Sequence, residues 1–300
     1  MARYDLIVIG EGIAGLTCAN RAATAGLRVA TFEATLFGGL VINVNELDPV
    51  PEGRPHSGAE LASELMQANA EAGVSSIQEP VTSIDAGGAL KRITTASGTY
   101  EAPSVVIASG ARVKRLGVPG EAEFEGRGVS QCADCDGPMY QNEDVIVVGG
   151  GDSALQESIV LAQYCKRVHL VHRGTRFRAK EHFQAQVKAN DKISVIWNAT
   201  VEEIAGSKMV EKARVKHRDG KAEELACAGV FAYIGLEPNS DFAAALERDS
   251  EGFIKTNAQF EAGARDVYAI GAVRAGFGGT LTDAIAEAER VAQSIAARLA

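Results

Sequence analysis

Residues 4–15 of the chain read YDLIVIGEGIAG, and this stretch decides the fold. It joins a short apolar, β-branched run to a turn with glycine at every position that a dinucleotide fingerprint requires. The alanine-rich stretch 16–25 that follows suits a helix, which Gly26 ends, and residues 27–32 form a second apolar run that closes on Glu33. A strand, a glycine turn, a helix and a second strand make a complete βαβ unit.

The glycines of this turn have separate physical roles. Gly10 permits the tight turn, Gly12 lets backbone N–H groups approach a pyrophosphate, and Gly15 allows the helix to pack closely on the strand. Glu33 lies 18 residues beyond Gly15, where its carboxylate accepts a hydrogen bond from a ribose hydroxyl. The alternative is a glycine-rich turn with no ligand. The order of strand, turn, helix and acidic residue favours an adenine dinucleotide.

The same pattern returns at residues 144–154, which read DVIVVGGGDSA. Gly149 and Gly151 repeat the first two glycines, and Ala154 stands at the helix-packing position, a substitution that the fingerprint accepts. The chain therefore contains two predicted dinucleotide folds.

The second fold has a different ribose reader. Its second strand, residues 167–171, leads to His172 and Arg173 where the first fold has a carboxylate, and Arg176 and Arg178 follow. Cationic side chains suit a 2′-phosphate, which a guanidinium binds bidentately, so this site favours NADP over NAD. The alternative is a solvated basic strand exit beside a turn that has lost its nucleotide.

The rest of the chain completes one fold around the other. A single βαβ unit needs further parallel strands, and the buried runs 104–110 and 267–271, each with a glycine exit, supply them to the first unit. The predicted class is α/β, with two Rossmann-like, three-layer nucleotide-binding domains, the second inserted into the first. The predicted boundaries are 1–111 with 231–300 for the first domain and 112–230 for the second, with linkers at 112–120 and 233–240.

Composition excludes several classes of function. The chain has 300 residues, 46% of them hydrophobic, and 30 basic against 39 acidic side chains give a net charge of −9. Negative charge opposes binding to nucleic acid and to anionic membranes. No stretch is apolar enough to span a membrane, so we expect a soluble, cytoplasmic protein.

Two of the five cysteines are close in sequence. Residues 131–137 read QCADCDG, with Cys132 and Cys135 separated by two residues. This spacing suits a readily reduced disulfide, with acidic neighbours to manage its protons. A zinc site would need a second pair of ligands, for which the candidates are His169 and His172, close together on a strand, and the lone Cys165. An inert core pair is the other alternative. We interpret the pair as redox-active.

Two nucleotide folds with unlike ribose readers indicate a tightly held flavin in one and a visiting nicotinamide in the other, with hydride passing between them. With these features together, the chain resembles the low-molecular-weight thioredoxin reductases over nearly its full length. The matching motifs, in chain order, are GEGIAG at 10–15, GG at 38–39, IASGA at 107–111, CADCDG at 132–137, GGGDSA at 149–154, HR at 172–173 and YIGLEPN at 233–239.

The resemblance implies FAD in the discontinuous domain, NADPH in the inserted one, a homodimer, and thioredoxin or a thioredoxin-like protein as partner. It implies that Cys132 attacks the partner, Cys135 lies beside the flavin and Asp136 is the general acid. The implied FAD residues are Gly10, Gly12, Ile13, Ala14, Gly15, Glu33, Ala34, Gly38, Gly39, Leu40, Asn43, Ser109, Gly110, Gly271, Ala272, Thr282, Asp283 and Ala284. The implied NADP residues are Gly149, Gly151, Asp152, Ser153, Ala154, His172, Arg173 and Arg178.

The chain departs from the family pattern at several positions. Ala272 replaces an aspartate that holds the flavin, Gly174 replaces an arginine of the 2′-phosphate reader, and Leu40 replaces a glutamine. Asn43 and the helix start at 282–284 also differ. These departures keep open a different electron donor, such as a ferredoxin or another flavin, and a small-molecule disulfide as substrate. A third hypothesis is a non-enzymatic protein whose nucleotide sites have decayed.

Overall fold

The computed structural model describes residues 2–44, 47 and 57–299. The chain forms two compact units, Met1–Arg112 with Glu237–Ala300, and Val113–Leu236. We call them unit 1 and unit 2 and describe each by itself.

Six helices and nineteen strands are found in the described residues. The helices are α1 (Ile13–Thr24), α2 (Gly58–Glu71), α3 (Ala133–Asp136), α4 (Asp152–Tyr164), α5 (Glu181–Ala189) and α6 (Leu281–Leu299). The strands are β1 (Ala2–Arg3), β2 (Leu6–Ile9), β3 (Val29–Phe32), β4 (Ser75–Ile77), β5 (Ser83–Asp85), β6 (Lys91–Thr94), β7 (Thr99–Ala102), β8 (Ser104–Ile107), β9 (Ala111–Val113), β10 (Val129–Ser130), β11 (Asp144–Gly149), β12 (Arg167–His172), β13 (Ile193–Trp197), β14 (Ala199–Gly206), β15 (Val210–His217), β16 (Ala222–Ala226), β17 (Gly229–Tyr233), β18 (Leu236–Pro238) and β19 (Val267–Ala269).

Unit 1 is built on a parallel sheet with strand order β19-β8-β2-β3-β4. Leu6 and Val8 of β2 pack with α1 and α6 on one face, while Ile7 and Ile9 pack on the other face against the sheet β1-β7-β6-β5. Strands β2, β3 and β8 are fully buried because both faces of the sheet are covered. Strands in this position have continuous apolar runs in their sequence. The prediction that the runs at 104 and 267 complete the first sheet is confirmed.

The local elements of unit 1 follow the sequence closely. Strands β5 and β6 form an antiparallel pair. Helix α2 begins at Gly58, because Ser57 accepts a hydrogen bond from the Glu60 amide while the Glu60 carboxylate accepts one from the Ser57 amide. This reciprocal capping box satisfies backbone donors that a helix start otherwise leaves unpaired.

Unit 2 is built on a second parallel sheet with order β10-β17-β11-β12-β13. One face packs against α4 and α5 and the other against the antiparallel sheet β14-β15-β16, so this unit also has three layers. The chain returns to unit 1 at Glu237 and not at the predicted residue 231. The reason is that Gly229–Tyr233 is strand β17, which pairs along its length with β11.

No helix within the described residues is long and apolar enough to cross a bilayer.

Candidate functional site

Of the three fingerprint glycines in the first turn, only Gly12 has room for a side chain. A Cβ on Gly10, whose φ is +105°, would lie 2.4 Å from the carbonyl oxygen of Ala108, and a Cβ on Gly15 would lie 1.9 Å from that of Gly10. At Gly12 the nearest atom to a Cβ is 3.9 Å away. The space above Gly12 at the start of α1 is where the predicted pyrophosphate requires close backbone approach.

The predicted ribose carboxylate lies at the carboxyl end of β3 beside this turn. Glu33 Oε2 accepts a hydrogen bond from the Glu11 amide at 2.9 Å, and Oε1 accepts from the amides of Ala34 at 2.9 Å and Thr35 at 3.0 Å. Three backbone donors therefore hold the carboxylate in place. The open space at Gly12 and this oriented carboxylate fit an adenine dinucleotide.

The remaining predicted flavin residues lie in the same unit. Gly38 and Gly39 have φ of +97° and +63°, and the Gly38 amide donates to the carbonyl of Glu11 at 2.7 Å, which sets this segment beside the first turn. Leu40 is exposed, and Gly39–Asn43 forms a 3₁₀ turn. Ser109 Oγ donates to the Asn239 carbonyl at 2.7 Å. Ile13, Ala14 and Gly110 complete this group; the first two are buried on α1, and Gly110 has a φ of +66°.

The C-terminal part of the predicted flavin site is organised by a residue that the sequence analysis missed. Glu287, only 7% exposed, accepts hydrogen bonds from the Gly271 amide at 2.8 Å and from Arg274 Nε at 3.0 Å. A Cβ on Gly271, whose φ is +69°, would lie 3.1 Å from the Ala14 methyl group. Glu287 thus fixes the turn that carries Ala272 opposite α1.

The predicted helix start at 282–284 lies in the first turn of α6. Asp283 is engaged with Thr280, whose hydroxyl donates to the Asp283 carboxylate at 2.6 Å and accepts from its amide at 3.1 Å. Thr282 is exposed and Ala284 is buried. Thr280 therefore caps the start of α6, and the Asp283 carboxylate binds back to Thr280.

A second missed residue lies inside the first glycine turn. Glu11 is fully buried, and its carboxylate accepts hydrogen bonds from Thr31 Oγ1 at 2.5 Å, Ser76 Oγ at 2.6 Å and Gln78 Nε2 at 3.2 Å. The acidic residue between two glycines is visible in the sequence. Its three hydrogen-bond partners cannot be recognised in the sequence, because Thr31 lies on β3, Ser76 on the edge strand β4, and Gln78 directly after β4.

The second glycine turn, in unit 2, has the same close packing. A Cβ on Gly149 would lie 2.4 Å from the carbonyl oxygen of Tyr233, and a Cβ on Gly151 would meet nothing within 4 Å. Helix α4 begins at Asp152, whose carboxylate accepts from the Lys180 amide at 2.7 Å, with Ser153 exposed and Ala154 buried. The space at Gly151 suits a second dinucleotide.

The predicted 2′-phosphate readers divide into two kinds. His172 is buried, with Nδ1 2.8 Å from the Gly149 carbonyl oxygen and Nε2 2.9 Å from that of Arg176. Its ring therefore contacts the backbone of the second glycine turn and of the following loop. Arg173 and Arg178 are exposed, and among the described residues their guanidinium groups form no ion pair. These two arginines remain available to an anion.

The predicted redox pair is a disulfide between Cys132 and Cys135, with Cα atoms 5.3 Å apart. The Cys135 amide lies 3.1 Å from Cys132 Sγ, and Asp136, at the end of α3, is half-buried. Among the described residues no group of three or more His, Cys, Asp or Glu side chains is arranged to hold a metal ion.

The other three cysteines are free and buried. Burial raises the pKa of the Cys18 and Cys227 thiols to about 12 and that of Cys165 to about 11. Because the thiolate is the reactive form, these residues are structural.

A third missed residue, Glu157 on α4, lies against the disulfide segment. Its Oε2 accepts from the Ala133 amide at 3.2 Å and from the Tyr233 hydroxyl at 3.4 Å. Burial, and then the nearby Asp134 carboxylate, raise the pKa of Glu157. Nothing in the sequence signals this contact, because no short motif relates a residue of α4 to a cysteine pair that ends 22 residues earlier, at Cys135.

Two dinucleotide turns and a CxxC disulfide define a flavin-dependent pyridine nucleotide–disulfide oxidoreductase. The family model described as pyridine nucleotide-disulphide oxidoreductase matches residues 4–294. Within this class, the chain belongs to the low-molecular-weight thioredoxin reductase family. It is an FAD oxidoreductase of the thioredoxin reductase type, so the non-enzymatic hypothesis is not supported.

Three relatives illustrate the similarity. The chain is 38% identical over 274 residues to a thioredoxin reductase of Treponema pallidum, covering 91% of this chain and 89% of the relative. A crystal structure of Lactococcus lactis thioredoxin reductase in the FR conformation matches with a TM-score of 0.87 and 32% identity, covering 97% of both chains. A ferredoxin-flavin thioredoxin reductase from Clostridium acetobutylicum matches with a TM-score of 0.54 and 27% identity, covering 100% of this chain and 99% of the other.

Proposed function

We propose that this protein transfers electrons from NADPH through FAD to its Cys132–Cys135 disulfide, and from there to thioredoxin or a thioredoxin-like protein. The observation that carries the proposal is the disulfide itself, which lies in the same unit as the second glycine turn. The other unit has a glycine turn with an oriented ribose carboxylate. A disulfide reductase with a flavin between donor and acceptor needs these three parts.

Bound FAD supplies two-electron chemistry that links a nicotinamide to a disulfide. Two electrons delivered to the Cys132–Cys135 bond break it and leave two sulfurs, which take up protons as they become thiols. Cys132 then attacks the partner's disulfide to form a mixed disulfide, and Cys135 attacks Cys132 Sγ, which releases the reduced partner and restores the original bond.

The local geometry supports these roles. The Cys135 amide points at Cys132 Sγ from 3.1 Å, which favours a thiolate on the attacking residue. Asp136 follows Cys135 directly, and we assign it the protonation of the departing partner thiolate. Exposure alone does not favour Cys132 as the attacking residue, because Cys135 is the more exposed cysteine in this structure.

Donor and setting complete the proposal. The exposed guanidinium groups of Arg173 and Arg178 favour a 2′-phosphate and therefore NADPH over NADH. The family resemblance supports a homodimer. Three buried free thiols suit a reducing compartment, so we place the protein in the cytoplasm.

Anaerobic titration of the FAD-loaded protein with NADPH and NADH, followed by absorbance, tests the donor half. NADPH is expected to bleach the flavin at lower concentration than NADH. Cys132→Ser tests the disulfide half, since it should abolish reduction of a thioredoxin while NADPH still bleaches the flavin. Full turnover by Cys132→Ser would refute the assignment.

A second candidate keeps the flavin and the disulfide but changes the donor to a ferredoxin or another flavin, or the substrate to a small-molecule disulfide. The observation in its favour is Gly174, which removes a cation from the 2′-phosphate reader. If neither NADPH nor NADH at millimolar concentration reduces the flavin, this candidate replaces the first.

A further inference from the structure

Helix α4 connects the nucleotide turn to the disulfide through one side chain. The helix begins directly after Gly151, and Glu157 projects from it toward α3, where its carboxylate accepts the Ala133 amide hydrogen at 3.2 Å. Ala133 is the first residue of α3 and the direct neighbour of Cys132. A carboxylate therefore lies at the backbone of the redox segment.

The surroundings of this carboxylate are acidic and polar. Tyr233, at the end of β17, donates to it at 3.4 Å, and α3 contributes Asp134, while Asp136 stands at the other end of α3. Among the described residues, Glu157 takes part in no ion pair. The carboxylate thus lies at the backbone beside Cys132, and no described Lys, Arg or His side chain forms an ion pair with it.

We propose that Glu157 is a positioning residue that fixes the Cys132–Cys135 segment on α4 and disfavours thiolate formation there, which makes the couple more strongly reducing. This inference rests on the disulfide being the redox centre of the proposed function.

The balance of the reaction shows why charge matters. Reduction adds two electrons, breaks the S–S bond and takes up two protons when both sulfurs become thiols, or one when a thiolate remains. A thiolate gains stability from N–H donors and cations, and couples whose reduced form is stabilised in this way are strong oxidants. A nearby carboxylate acts in the opposite direction, since like charges repel in the partly desolvated segment. This suits a donor of electrons to other disulfides.

Glu157→Gln tests the proposal because the amide oxygen still accepts from Ala133 while the charge is removed. The purified protein is equilibrated with reduced and oxidised dithiothreitol at pH 8.5, and the dithiol fraction is measured by acid quenching, alkylation and mass spectrometry. We expect the equilibrium constant toward the dithiol to rise about tenfold, which corresponds to about 30 mV in reduction potential. The shift should shrink at pH 6, because protonation of the sulfurs removes the thiolate charge that the Glu157 carboxylate opposes.

Two matched variants separate charge from structure. Glu181→Gln removes an exposed carboxylate at the start of α5 in the same unit, and Tyr233→Phe removes the second hydrogen bond but keeps the charge. Neither is expected to change the equilibrium constant by more than twofold. A tenfold shift in Tyr233→Phe would overturn the electrostatic role, as would an unchanged constant in folded Glu157→Gln.

If Glu157→Gln does not fold, Glu157→Asp is the second test. This variant keeps the carboxylate but moves it away from the Ala133 amide by the length of one methylene group. The equilibrium constant should shift in the same direction by a smaller factor, and an unchanged constant would overturn the proposal. The measurement needs neither NADPH nor a partner protein. Failure of the proposed electron donor would therefore leave this result intact, and the two failures are distinguishable.

Discussion

The backbone amide of Glu11 donates a hydrogen bond to the carboxylate of Glu33, 22 residues later in the chain, at 2.9 Å. The contact joins the middle of the first glycine turn to the end of β3. It therefore sets the distance between the pyrophosphate position and the ribose position of the predicted FAD site before any cofactor binds, and such preorganisation reduces the free-energy cost of binding.

Glu33→Ala is expected to weaken FAD binding by about 10- to 100-fold, because a hydrogen bond to a charged group contributes about 1.5–3 kcal/mol. The dissociation constant can be measured by flavin fluorescence on adding FAD to the apoprotein. Glu71→Ala, which removes an exposed carboxylate at the end of α2, is the control and should leave the constant unchanged. Equal affinity of the Glu33 variant and the native protein would contradict the ribose role.

Glu11→Ala should lower the free energy of unfolding of unit 1 by about 2–3 kcal/mol. The buried hydroxyl of Thr31 loses its acceptor, and an unsatisfied buried donor costs about 1–3 kcal/mol. Urea denaturation of the apoprotein measures the change. Thr31→Val in the Glu11→Ala background should restore part of the loss, because it removes the orphaned donor; an additional loss in the double variant would argue against this contact.

Gly12→Ala separates cofactor binding from folding. The nearest atom to the added Cβ is 3.9 Å away and the φ of Gly12 is −73°, so the apoprotein should keep its stability. The methyl group nevertheless fills space that a pyrophosphate needs, and FAD affinity should fall by at least tenfold. Gly15→Ala, with a Cβ 1.9 Å from a carbonyl oxygen, should instead unfold the turn. Circular dichroism and FAD titration of both variants distinguish the two effects.

The parts of the site that the sequence could predict are those built from consecutive residues. The turn at 10–15 is a local structure in which Gly10 is required by its positive φ and Gly15 by close approach to a carbonyl oxygen, so the glycine spacing between a strand and a helix identifies it. Glu11, Glu157 and Glu287 could not be assigned, since the backbone or side-chain groups that they contact come from other elements, up to 67 residues away for Glu11. The end of the second domain is hard to place from sequence for the same reason: unit 2 ends at Leu236, beyond the predicted residue 230 but inside the predicted linker 233–240. Whether Gly229–Tyr233 belongs to unit 2 depends on parallel pairing with β11, 84 residues before it at the register Val145–Gly229.

Arg178→Ala should weaken binding of NADPH but not of NADH to the oxidised protein. The side chain is exposed and has no ion-pair partner among the described residues, so its loss should change stability little. Loss of one charge-assisted contact to the 2′-phosphate is expected to raise the NADPH dissociation constant about tenfold or more. Isothermal titration with both nucleotides gives the ratio directly. Arg176→Ala, on the same loop, tells whether the neighbouring arginine takes part, and equal loss of NADPH and NADH affinity in Arg178→Ala would contradict 2′-phosphate recognition.

The free cysteines should be inert in the folded protein. At pH 8 a thiol with a pKa of about 12, as for Cys18 and Cys227, is almost entirely protonated, and the raised pKa near 11 of Cys165 has the same consequence. After reduction, iodoacetamide should therefore modify only Cys132 and Cys135 in the native protein, whereas all five cysteines of the chain react once it is denatured. Intact mass and peptide mapping count the modified positions. Cys18 is fully buried on α1, so its rapid modification in the native protein would show that unit 1 opens readily. Because Gly15 lies on the same helix, this result would also contradict a persistent turn at Gly15.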